Sequence, residues 1–301
     1  MTKALYREFE TQEALDEQYD VERSVPDFTV YARHYVDESK LARHRLRPNL
    51  DIPYGPTKAE YVDIFPARER NAPVLLFIHG GYWRMLSAKE FSCTALGPVS
   101  AGVTVVVVNY ALCPMVSIDE IVRQARASVA WTWRNAKSLG ADPNRLFVSG
   151  HSAGGQLTAM CMNTAWEHDY DIPNDVIKGG CSISGVFDLR PIRFTCMQPA
   201  IQLDDGVIAR NSPQLLAPRE QRQPLLFSVG GSETAEFQRQ TNDYLAHWRA
   251  SGNEAQLLAQ LGKNHFDAIF GLEDASSPLC QAIFKMMGHA TPGNSGHRLR
   301  G

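Results

Sequence analysis

Residues 145–160 read Arg145-Leu146-Phe147-Val148-Ser149-Gly150-His151-Ser152-Ala153-Gly154-Gly155-Gln156-Leu157-Thr158-Ala159-Met160. A short apolar run over 145–148 enters Gly150-His151-Ser152-Ala153-Gly154. A helical pattern with Leu157, Met160 and Cys161 on one face leaves it. Strand, tight turn and helix form the context that G-x-S-x-G needs when its serine is a nucleophile. The turn is so sharp that the positions two residues either side of the serine cannot carry bulky side chains. The helix points its positive N-terminal end at the serine, which favours negative charge developing there. A bare G-x-S-x-G is common by chance. The strand, the helix and the extra Gly155 make Ser152 the candidate nucleophile.

Working outward, apolar and β-branched runs predict strands over 61–65, 74–78, 104–108, 145–148, 179–184, 225–229 and 255–261. Several are apolar throughout, as strands covered on both faces are. Helical patterns lie between them. The clearest covers 118–138, opens on the capping box Ser117-Ile118-Asp119-Glu120 and stops at Gly140. Its apolar residues Ile118, Ile121, Val122, Ala125 and Val129 recur at helical spacing. Another helix covers 236–250. Such alternation predicts an α/β protein with a mostly parallel central sheet and helices on both faces.

Residues 1–55 read as polar and loop-like, with one helix near 11–19, and are expected to act as a cap segment. The segment 190–223 is long, rich in Pro and Arg, and weakly periodic, the pattern of a lid or cap insertion. Arg193 and Phe194 are its expected contributors to a pocket. Residues 289–301 read as a flexible tail.

The second motif is His79-Gly80-Gly81-Tyr82-Trp83, directly after the strand over 74–78. A hydrolase needs backbone N–H donors preorganised where an oxyanion will form. Gly81 and Tyr82 supply two, and Ala153, the residue after the nucleophile, supplies another. His79 is expected to hold the loop by hydrogen bonds. Tyr82 and Trp83 could stack on an aromatic substrate, and His151 is a further expected substrate contact.

In this motif order the acid and then the base follow the nucleophile. His265 comes after the run over 255–261 through Gly262-Lys263-Asn264 and is the expected base. His168, His247, His289 and His297 fit less well. The acid belongs in the loop after 225–229, where Glu233 is favoured and Glu236 competes as a first-turn helix charge. Asp267 is too close to His265 in sequence to orient it. Ser152 would attack a carbonyl, His265 would carry the proton, and Glu233 would fix the imidazole and stabilise its charged form.

The composition excludes several classes. The chain has 301 residues, 44% of them hydrophobic and 21% charged, and 30 Lys plus Arg against 33 Asp plus Glu. That is ordinary for a globular protein and carries no basic footprint for nucleic acid. The longest apolar runs, such as 103–108, are too short to span a bilayer. The acidic first twenty residues lack the apolar stretch of a secretory leader. No two of the six cysteines are closer than 15 residues, so no C-x-x-C pair exists. A cytoplasmic protein with free thiols is expected. The nine histidines show no H-E-x-x-H spacing and there is no Walker A motif, so neither metal nor nucleotide cofactor is expected.

His79–Trp83, Gly150–Gly155, the run from Glu233 to Gln240 and Asn264-His265-Phe266 together resemble the arylformamidase (kynurenine formamidase) family. That family is a branch of the α/β-hydrolases near the hormone-sensitive-lipase-like esterases. Leu15–Tyr19 and Val25-Pro26-Asp27-Phe28 are similar to that branch as well, so the likeness runs from about Leu15 to Gly288. The most branch-specific motif is His79–Trp83, because related esterases more often carry a third glycine there. The resemblance implies an α/β-hydrolase fold and hydrolysis of N-formylkynurenine to kynurenine and formate. Ser152, Glu233 and His265 match the triad by position. Several members carry Asp where this sequence has Glu233, so the backbone must absorb a methylene. The alternative is a carboxylesterase for small or medium acyl esters. A non-catalytic ligand-binding member is disfavoured because all three triad positions hold competent residue types. The expected partner is a small, aromatic substrate, with no nucleic acid or membrane, and a homodimer stays open.

The spread of these motifs across the chain requires one sheet to gather them. One domain over 1–288 is therefore expected, with 1–55 and 190–223 as its cap.

Overall fold

The computed structural model describes residues 4–219 and 223–289. The expected tail beyond His289, including His297, and three residues of the expected lid lie outside them. The strands are β1 (Asn49–Pro53), β2 (Tyr61–Phe65), β3 (Ala72–Ile78), β4 (Thr104–Val108), β5 (Ala141–His151), β6 (Ile177–Ile183), β7 (Leu225–Gly230) and β8 (Ala255–Gln260). They form one eight-stranded sheet in the order β1-β2-β4-β3-β5-β6-β7-β8. β2 runs antiparallel to both β1 and β4, and β3 to β8 are parallel.

All seven expected strands are present. The uniformly apolar ones sit in the middle: every residue of β3 and β4 is buried. Helices Ile118–Asn135, Ala153–Met162 and Ala235–Ala250 stand close to where their periodicity places them. Ser117 caps the first, accepting from the Glu120 N–H at 3.4 Å. Among the described residues no helix is long and apolar enough to cross a membrane.

The N-terminal region differs from its expectation. The helix near 11–19 is there, as Gln12–Tyr19. The rest is not loop. Phe28–Leu46 is a 19-residue helix, capped where the Asp27 carboxylate accepts from the Thr29 N–H at 2.9 Å, and β1 follows it. The helix buries Tyr35, Ser39 and Ala42 on one face, so its inner face is too polar to announce itself. β1 is an exposed edge strand with no apolar alternation.

This helix lies against the segment 88–95. Ser39 Oγ donates to the Glu90 carbonyl at 2.8 Å and accepts from the Cys93 N–H at 3.1 Å. The Tyr35 hydroxyl donates to the Phe266 carbonyl at 2.5 Å. The N-terminal segment is thus fastened to the loop that carries His265.

The segment 190–219 is broken into short helical pieces, among them Gln198–Ile201 and Asp205–Asn211. His289, the first residue of the expected tail, bonds the Ala101 carbonyl through Nε2 at 2.6 Å and packs on Phe284.

Candidate active site

β5 lies in the middle of the sheet, paired with β3 and β6, and it ends at His151. Ser152 follows with φ 57° and ψ −116° and starts the helix Ala153–Met162. A serine held there is strained by about 1–3 kcal/mol, and only a surrounding framework that fixes the turn keeps it so. The Ser152 N–H donates to the Ile183 carbonyl at the end of β6 at 2.9 Å. The glycines are required by space. A Cβ on Gly154 would fall 1.9 Å from the Ile78 carbonyl oxygen, and one on Gly150 would fall 2.2 Å from the Gly154 oxygen.

The loop 79–83 packs onto this turn. A Cβ on Gly80 would lie 2.9 Å from the His151 oxygen and 3.1 Å from Ser152 Cβ. Gly81, Tyr82 and Trp83 all have positive φ, at 105°, 47° and 54°. The expected donors Gly81, Tyr82 and Ala153 therefore sit on two backbones in contact beside Ser152. Ala153 is the first helical residue, whose N–H has no acceptor inside the helix.

His79 is fully buried, stacked on Tyr110 at 4.1 Å, and its Nδ1 bonds the Gly80 carbonyl at 2.7 Å. Burial pulls its pKa down to about 4, so the ring is neutral. The Tyr110 hydroxyl donates to the His79 carbonyl at 2.9 Å. Both contacts shape the loop, as expected of His79.

His265 and Glu233 meet as expected. His265 Nδ1 lies 2.7 Å from Glu233 Oε2. Glu233 Oε1 accepts from the Gly230 N–H at 2.7 Å and from the Ser184 hydroxyl at 2.5 Å. Both carboxylate oxygens are thus engaged and the side chain is buried. Glu236, the competitor, is occupied elsewhere. It pairs with Arg239 at 2.6 Å and accepts from the Tyr19 hydroxyl at 2.6 Å. Asp267 Oδ1 accepts from the Asn264 N–H at 2.7 Å, within its own turn.

Ser152 and His265 line one cavity of about 280 Å³. They share no hydrogen bond; contacts of this kind tighten when substrate binds. The arrangement can move a proton from Ser152 to His265, with Glu233 countering the charge that appears on the ring.

Three expected contacts are corrected. Trp83 is fully buried, lies outside the cavity walls, and donates its indole N–H to Gln156 Oε1 at 3.1 Å. It is a core residue that ties the loop 79–83 to the helix after Ser152. Arg193 and Phe194 line a different recess; the same segment instead gives Cys196 and Met197 to the cavity. Tyr82 and His151 do line it. His151 also braces the loop that carries His265, because its Nε2 bonds the His265 carbonyl at 2.8 Å. Burial, and then the nearby His265, pull the His151 pKa well below its usual value, so it stays neutral and donates that bond.

The sequence reading missed Ser184, which stands at the end of β6 and carries no motif. It also missed the cavity walls from the N-terminal segment: Tyr19, Val21, Phe28 and Tyr35. Phe91 and Phe266 complete an aromatic enclosure. Five of the six cysteines are buried and Cys196 is exposed; none is paired. Among the described residues no group of three or more His, Cys, Asp or Glu is placed to hold a metal ion.

A strained serine at the end of a central parallel strand, with a buried His–Glu pair from the last two strand loops, defines an α/β-hydrolase. A family model of the α/β-hydrolase fold matches residues 75–266. The kynurenine formamidase of Salmo salar is 32% identical over 257 residues, 83% of this chain and 85% of that protein. That of Danio rerio is 29% identical over 92% of this chain and 97% of its own length. The chain belongs to the kynurenine formamidase family of α/β-hydrolases, and it is a hydrolase. Among solved structures, a proposed thioesterase of Silicibacter is similar with TM-score 0.79 and 28% identity, covering 89% of this chain and 98% of that one. An esterase of Pyrobaculum calidifontis shares the fold at TM-score 0.67 and 17% identity, covering 93% and 98%.

Proposed function

We propose that this protein hydrolyses an aryl formamide, N-formylkynurenine, to kynurenine and formate through a formyl-enzyme on Ser152. The observation that carries the chemistry is the 2.7 Å contact between His265 Nδ1 and Glu233, in the same cavity as a serine at φ 57°. The 32% identical relative and the aromatic walls favour the aryl formamide.

Ser152 Oγ attacks the formyl carbon as His265 takes its proton. The oxyanion is held by the N–H groups of Ala153, Gly81 and Tyr82. His265 then protonates the departing arylamine nitrogen, so the C–N bond breaks and the formyl group stays on Ser152. Water, deprotonated by His265, releases formate and restores the serine. Glu233 keeps the ring in the tautomer with its free nitrogen toward Ser152.

A second reading is a carboxylesterase. It is favoured by a local match, 34% identity over 101 residues, to a carboxylesterase of Mycobacterium tuberculosis. The two readings separate on kcat/KM for N-formylkynurenine against p-nitrophenyl acetate and butyrate. The formamide is expected to be the better substrate. A negligible kcat/KM beside the esters removes the formamidase reading.

A further inference from the structure

The aromatic walls account for a flat, apolar substrate body. They do not account for the charged residues that also line this cavity, Asp20, Glu22, Arg84 and Glu90. Glu90 is committed: its carboxylate accepts from the Ser87 N–H at 2.9 Å and the Ser87 hydroxyl at 2.7 Å, closing a capping box. Asp20 meets Arg23 at 2.9 Å, but Arg23 is 67% exposed, and such a pair is weakly held. Glu22 and Arg84 differ from these two: among the described residues neither the Glu22 carboxylate nor the Arg84 guanidinium has an ion pair or hydrogen bond, although both line the cavity.

The position of Arg84 is fixed by the loop that supplies the proposed oxyanion donors. Its N–H donates to the Gly81 carbonyl at 3.0 Å, two residues after Tyr82. Burial is the main cause that raises the Tyr82 hydroxyl and the Cys196 thiol; Asp20 adds to the rise of both groups and Arg84 opposes it. An acid and a free base therefore line the same cavity as Ser152 and His265.

We propose that Arg84 and Asp20 recognise a zwitterionic α-amino-acid head on the substrate. Arg84 takes the carboxylate, with Asp20 and Glu22 drawing the ammonium. This rests on the aryl-formamide reading, whose substrate carries such a head beside its aromatic ring. The guanidinium fork matches a carboxylate in two parallel hydrogen bonds. A substrate lacking the head gains nothing from either charge. The pair thus sets specificity without taking part in bond breaking.

The test compares two formamides on the full chain. One is N-formylkynurenine; the other is 2-formamidoacetophenone, the same aryl formamide without the amino-acid head. The readout is the ratio of their kcat/KM values, which does not depend on the fraction of active protein. Wild type should prefer the headed substrate. Arg84→Gln should shrink that preference about five- to tenfold, mostly through the KM of N-formylkynurenine. Asp20→Asn should shrink it in the same direction, by less. If Arg84→Gln leaves the ratio unchanged, by affecting both substrates equally or neither, head recognition by Arg84 is overturned while the formamidase reading stands. If wild type cleaves p-nitrophenyl acetate and neither formamide, the formamidase reading itself has failed, and this inference with it.

Discussion

Both oxygens of Glu233 have partners, one on His265 and the other on Gly230 and Ser184. Glu233→Gln keeps the shape but puts a donor where His265 Nδ1–H needs an acceptor. It should cost about 10⁴ in kcat. Glu236→Gln should cost less than about tenfold in kcat, because its partners Arg239 and Tyr19 stand outside the reacting groups. A severe Glu236→Gln beside a mild Glu233→Gln would reverse the assignment. The sequence could order these two glutamates only weakly, since both follow the same strand within six residues. What separates them is Tyr19, 217 positions away, which engages Glu236. Trp83 was misplaced for a related reason. An aromatic next to a proposed donor can face the substrate or the core, and the contact with Gln156 that decides this is tertiary.

At the scale of elements, the turn at Ser152 was legible because its constraint is local. Gly154 faces the Ile78 carbonyl so closely that Gly154→Ala should destabilise the protein by more than about 3 kcal/mol or abolish soluble expression. A thermal midpoint within about 2 °C of wild type, roughly what 1 kcal/mol would move it in a chain of this size, would refute that packing. The strands of the parallel sheet were legible for the same kind of reason: burial on both faces writes an apolar run. The helix Phe28–Leu46 was not. Its inward positions Tyr35, Ser39 and Ala42 include a hydroxyl and a small residue, and what holds it is specific hydrogen bonding to 88–95 and to Phe266. Tyr35→Phe removes the donor to the buried Phe266 carbonyl. It should cost about 1–3 kcal/mol in denaturant unfolding. A loss of less than about 0.5 kcal/mol would mean the contact does not fasten the N-terminal segment.

At the scale of the molecule, two neutral buried histidines tie stability to pH. Burial depresses the pKa of His79 to about 4 and that of His151 well below its ordinary value. The unfolded chain binds these protons near pH 6.5, while the folded chain resists them. Their contribution is fully present above about pH 6.5 and is lost as pH falls from there toward 4, at up to about 1.4 kcal/mol per unit for each ring. Urea midpoints should therefore drop between about pH 6.5 and 5, and a flat or rising profile over that window would contradict neutral burial. The same assembly, one sheet bringing residues 152, 233 and 265 to one cavity, is what the proposed chemistry depends on. The most direct test follows release of kynurenine and formate from N-formylkynurenine by wild type and Ser152→Ala side by side. Turnover by wild type and a loss on the order of 10⁶ in the variant are predicted. Equal turnover by the two proteins would contradict the central claim.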